Sequence, residues 1–146
     1  MRTNLRYSVV LLLLLVNLPA QTTYYVNIEQ PDDDEDGLTW LTARKYLQSA
    51  IQDAEEGDQI WVAKGEYSGT DTPPRGSFDI KSGIEVYGGF AGNEENFKDR
   101  NNEVQNETTL ISPGNTVVVF NRASEATVLD GFTIKDGKGY YAGGIY

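Results

Sequence analysis

The stretch Gln59-Ile60-Trp61-Val62-Ala63-Lys64-Gly65 decides the fold. Ile60 and Val62 flank Trp61 in an alternation that suits an extended strand with one buried face. Gly65 then permits a sharp bend, because glycine takes positive φ at little cost. The pattern returns as Ile84-Glu85-Val86, Thr108-Thr109-Leu110 and Phe132-Thr133-Ile134. Val62, Val86, Leu110 and Ile134 stand 24 residues apart, and Gly89, Pro113 and Gly137 occupy the place of Gly65. A fixed period in this range marks stacked units, none able to bury its apolar face alone. Paired in register at the interstrand spacing of about 4.8 Å, the four residues would form one internal column. The expected fold is all-β, a parallel β-solenoid, with a compact β-sandwich carrying one helix as the alternative.

The segments between these runs fit the same scheme. Ser77–Ile80, Thr116–Phe120 and Ala126–Leu129 are apolar enough to supply other faces of each turn. Gly69–Gly76 and Gly92–Asn106 are polar and rich in breakers, which predicts loops protruding from the stack.

Ahead of the repeats, residues 1–20 read as a signal peptide. Arg2 and Arg6 precede an apolar stretch from Val9 to Val16, with cleavage expected after Ala20. Residues 21–58 read as an N-terminal cap. Within it, Thr23–Ile28 predicts a short strand and Asp32–Asp36 an acidic surface loop, since adjacent carboxylates resist desolvation. Ala43, Tyr46, Leu47, Ala50, Ile51 and Ala54 gather on one face of a helix predicted over 42–56, with Thr42 as N-cap and Gly57 as stop. Residues 59–146 read as the first coils of the repeat, incomplete at the C-terminus, with Gly143–Tyr146 as the start of a further coil.

Composition narrows the functional classes. Cleavage would take two of the 12 basic residues and none of the 22 acidic ones, leaving 10 against 22, a net of −12. Such a charge argues against nucleic acid or an anionic membrane surface as a partner. With no cysteine and no histidine, disulfides, Ser-His and Cys-His nucleophile systems and the usual zinc sites are excluded.

The series Asp36-Gly37-Leu38-Thr39-Trp40, Gly57-Asp58-Gln59-Ile60-Trp61-Val62-Ala63, Gly65-Glu66-Tyr67, Tyr87-Gly88-Gly89-Phe90, Leu129-Asp130-Gly131-Phe132-Thr133-Ile134 and Gly143-Gly144-Ile145-Tyr146 resembles bacterial exported proteins of the pectin-lyase-like superfamily. The resemblance implies a right-handed parallel β-helix with an N-terminal capping α-helix and further coils downstream. It also implies a secreted or cell-surface setting and an adhesive or structural role, possible partners being a polysaccharide or a cell-surface component. The rival implication is the N-terminal part of a polysaccharide lyase or glycoside hydrolase.

No catalytic motif stands out. Asp79, Glu85, Asp130 and Asp136 are acids in or beside strands, but no spacing selects a pair for glycoside chemistry. Asp32, Asp34 and Asp36 are calcium candidates, as closely spaced carboxylates supply hard oxygen ligands, although the run lacks the ligand spacing of an EF-hand. A solvated charge run is the competing reading. No other cofactor is expected. Trp61 and Tyr87, with Tyr140 and Tyr141 beside them as weaker candidates, offer flat faces for stacking on sugar rings. The competing reading packs Trp61 beneath a helix or loop.

Overall fold

The computed structural model describes residues 20–71, 76–101, 103–140 and 142–146. The signal peptide expected over residues 1–20 falls almost wholly outside them, as do part of the 69–76 loop and Tyr141.

In chain order the elements are β1 (Thr23–Val26), α1 (Leu47–Asp53), β2 (Gln59–Ala63), β3 (Gly65–Ser68), β4 (Phe78–Ile80), β5 (Glu85–Phe90), β6 (Thr108–Ile111), β7 (Val118–Phe120), β8 (Val128–Asp130) and β9 (Phe132–Lys135). The strands form three parallel sheets. Sheet A runs β1-β2-β5-β8, sheet B runs β3-β6-β9, and sheet C pairs β4 with β7. The chain therefore visits the sheets in rotation: β2, β3, β4, then β5, β6, β7, then β8 and β9. Parallel pairing demands such returns, because a tight hairpin joins only antiparallel strands. The molecule is strand-rich, as the alternation of apolar residues predicts.

Register corrects the 24-residue column. Ile60 lies opposite Val86, and Val86 opposite Leu129. Leu110 lies opposite Tyr67 on one side and Ile134 on the other. Val62 and Val86 thus belong to sheet A and are not register partners, whereas Leu110 and Ile134 belong to sheet B at the predicted interval. The step from Val86 to Leu110 passes between sheets through the 91–107 loop. Equal intervals arose from unequal loops.

All three sheets send residues into one core. Sheet A contributes the inward column Tyr24, Ile60, Val86 and Leu129, sheet B Tyr67, Leu110 and Ile134, and sheet C Phe78, Ile80, Val118 and Phe120. Leu47, Ala50, Ile51 and Ala54 join the same cluster from the helical segment. The helix packs on β4, β1 and β2, and Gln48 adds a bond from the Asp79 amide to its Oε1, 3.0 Å.

The helix is shorter than predicted, beginning at Leu47 and not directly after Thr42. Arg44 makes a parallel bridge to Val26, its N–H donating to Tyr25 and its carbonyl accepting from Asn27, both at 2.8 Å. Those backbone groups are thereby lost to a helix. Asp33 Oδ1 then accepts from the amides of Lys45 (2.7 Å) and Tyr46 (2.9 Å), turning the chain into α1. At the other end Ala54 is extended, so the helix stops before Gly57. Asp33→Ala is expected to cost about 1–2 kcal/mol, the range for losing a capping-type carboxylate, as read by urea denaturation.

The two ends of the stack differ. The outer edge of β1 is satisfied by Gly37 and Arg44, the Tyr25 amide donating to Gly37 at 2.7 Å. At the opposite end β8 and β9 are the last strands of their sheets, with Leu129, Phe132 and Ile134 only partly buried. Gly143–Tyr146 lies beside β7, where Ile145 bridges Val118 and the Tyr146 amide donates to Val118 at 2.9 Å. It thus pairs alongside sheet C through β7. Among the described residues no helix is long and apolar enough to cross a membrane.

Candidate functional site

The outer face of sheet A gathers the two aromatic candidates. Register places Tyr25, Trp61, Tyr87 and Asp130 in one outward column. Beside it runs a second, Thr23, Gln59, Glu85 and Val128. The polar members are tied together. Gln59 Nε2 donates to Glu85 Oε2 (2.7 Å), Trp61 Nε1 to Gln59 Oε1 (3.1 Å), and the Tyr87 hydroxyl to Glu85 Oε2 (3.3 Å).

A bulge adds a ring that alternation alone would hide. Between Trp61↔Tyr87 and Ala63↔Phe90 the register slips by one residue, at Gly88-Gly89, where Gly89 has φ +87°. One extra residue reverses the side to which the strand's next side chain points. Phe90 consequently stacks on Trp61, with centroids 4.8 Å apart and planes at 8°. Tyr25 meets Trp61 edge-on at 5.6 Å.

Two loops close over this face. Trp40 packs on Tyr25 and Phe90 at 4.8 and 5.8 Å and donates from Nε1 to the Glu94 carbonyl at 3.0 Å. The loop following β5, expected to protrude, folds back on the sheet. Its 3-10 turn Phe97–Asp99 sets the Phe97 ring against Tyr87, Trp61 and Phe90 at 4.7, 5.8 and 6.1 Å.

Arg100 anchors the loop. Its Nε donates to the Gly88 carbonyl at 2.5 Å and Nη1 pairs with Asp130 at 2.7 Å. The guanidinium lies 5.4–5.9 Å from the centroids of Tyr87, Phe97 and Phe90, so its charge is also held against three ring faces. Burial, followed by the charge of Glu85, pushes the Tyr87 phenol above its usual pKa. It stays neutral and able to donate.

The candidates therefore fare differently. Tyr87 is half-buried at the rim of the cluster. Trp61 points away from the core as expected, but it is only 7% exposed and lies beneath the loop. Tyr140 is exposed. Asp32, Asp34 and Asp36 do not converge: among the described residues no group of three or more acidic side chains is placed to hold a metal ion. Asp32 Oδ1 accepts from the Asp34 amide, and Asp36 Oδ1 from the Leu38 amide. The latter bond is the main cause holding the Asp36 carboxyl below its usual pKa. Phe97, Arg100 and Trp40 escaped the sequence reading of the site. The available signal was one aromatic and one arginine inside an otherwise breaker-rich loop.

No protein-family model matches the chain, and neither a curated protein nor a solved structure shows significant similarity to it.

Proposed function

We propose that the chain is the opening part of a right-handed parallel β-helix that serves as an exported structural or adhesive scaffold at the cell surface. The outer face of sheet A is its carbohydrate-binding side. The observation that carries this reading is the rotation of the chain through three parallel sheets around one core, with aromatic and hydrogen-bonding ladders on the outward side of one sheet. Aromatic rings beside fixed amide and carboxylate groups are suited to the apolar face and hydroxyls of a sugar. The acidic balance, with Glu85 and Asp130 flanking Tyr87, favours a neutral sugar over a polyuronate. Further coils would cover the half-buried Leu129, Phe132 and Ile134.

The rival reading is the N-terminal part of a lyase or glycoside hydrolase. It draws on Glu85 and Asp130, both of which act on Tyr87. Asp130 is engaged by Arg100 and Glu85 by Gln59, which supports binding over catalysis.

Affinity electrophoresis through hydroxyethylcellulose and through polygalacturonate tests the proposal. Retardation is expected in the neutral polymer alone, weakened about tenfold by Tyr87→Ala through loss of one aromatic platform. Cleavage of either polymer would establish the rival, and free migration in both would refute the carbohydrate reading.

A further inference from the structure

We propose that Phe97 is a displaceable roof over the Trp61–Phe90 stack, and that a neutral pyranose ring takes its place there. This rests on the carbohydrate reading and assigns the subsite. Trp61 and Phe90 lie nearly parallel, whereas Phe97 meets both edge-on, at interplanar angles of 61° and 68°. The Phe97 ring therefore covers them without stacking. It is also 40% exposed, a poor position for a ring whose sole purpose is burial.

The attachments of the loop lie to either side of this ring. Upstream, the Glu94 carboxylate accepts from the amides of Ala91, Gly92 and Asn93 at 2.5–3.0 Å, and its carbonyl accepts from Trp40. Downstream, Arg100 holds Gly88 and Asp130, and the Asn101 amide donates to the Gly89 carbonyl at 3.2 Å. Between them the turn is bonded to itself, through the Asp99 amide to Asn96 at 3.0 Å and Asn96 Nδ2 to Asp99 at 3.2 Å, and the Arg100 amide donates to the Phe97 carbonyl at 3.1 Å. The turn can swing outward once the Arg100 amide releases the Phe97 carbonyl, while the side-chain anchors on either side remain. Its cost is the bond from the Arg100 amide, the edge contacts of one ring and the guanidinium of Arg100 5.6 Å from that ring's centroid, offset by a sugar face laid on Trp61.

The test uses the chain from Gln21 to Tyr146 and cellohexaose, whose equatorial hydroxyls leave flat apolar faces. Binding is followed through the Trp61 indole N–H resonance in two-dimensional NMR, distinguished from Trp40 by Trp40→Phe. Phe97→Ala is expected to tighten binding about fivefold, since the sugar no longer displaces an aromatic contact. Phe97→Leu, which keeps apolar cover and serves if the alanine variant fails to fold, should tighten it by a smaller factor. If Trp61 responds to the sugar but affinity stays level or falls in both variants, the roof is wrong and the carbohydrate reading stands. If Trp61 responds in no variant, the carbohydrate reading itself falls.

Discussion

Tyr67→Ala is expected to bring the protein to the edge of unfolding. The side chain is 1% exposed and sits in the inward column with Leu110 and Ile134. Truncating a large buried ring costs about 3–5 kcal/mol, out of the roughly 5–15 kcal/mol that holds a typical domain together. The hydroxyl adds to this, because it accepts from the Ile28 amide at 3.2 Å and donates to the Ala63 carbonyl at 3.0 Å. Urea denaturation should show a collapsed midpoint for Tyr67→Ala and a loss of about 1–2 kcal/mol for Tyr67→Phe, which forfeits the hydrogen bonds alone.

The same residue predicts a pH dependence. Burial pushes its phenol well above the ordinary 10.0. The unfolded chain then releases the proton first, so stability is full below pH 10 and declines as pH rises beyond it. In Tyr67→Phe that part of the alkaline decline should vanish. An unaltered alkaline limb would show that the phenol is not sequestered.

Gly88→Ala is expected to be strongly destabilising for a change of a single methyl group. A Cβ there would lie 2.6 Å from the Gly131 carbonyl oxygen and 3.0 Å from both Thr108 Cβ and Phe132 Cε1. One of those atoms is backbone, so relief requires moving the β8–β9 corner away from β5. Overpacking of this kind costs about 2–3 kcal/mol, which for a domain of this size lowers the melting temperature by about 10 °C. Gly57→Ala makes the control. Nothing lies within 4 Å of its Cβ, although φ is +93°, so only backbone strain of about 1 kcal/mol remains. A calorimetric melt for Gly88→Ala no lower than that of Gly57→Ala would contradict the crowding.

Alternation of large apolar residues made the strands around Ile60, Val86, Leu110 and Ile134 legible, because burial of one face is a local property of the chain. Register was not legible. It depends on how many residues each excursion consumes, and the 91–107 loop inserted between β5 and β6 is invisible to a count that assumes equal turns. The helix shows the same limit, since Ala43 and Tyr46 keep helical spacing while a distant carboxylate, Asp33, claims the amides just ahead of Leu47. At the site, the outward direction of Trp61 and Tyr87 could be read from strand parity. Their cover could not: Phe97 and Trp40 arrive from loops whose paths are set by Glu94 and Arg100.

The slip at Gly88-Gly89 lets an odd spacing between Tyr87 and Phe90 serve the aromatic face. Removing either glycine would leave Phe90 two residues after Tyr87 and opposite Ala63, so simple alternation alone would keep it outward. Homologues carrying such a one-residue gap should therefore be read as keeping the platform wherever every aromatic survives.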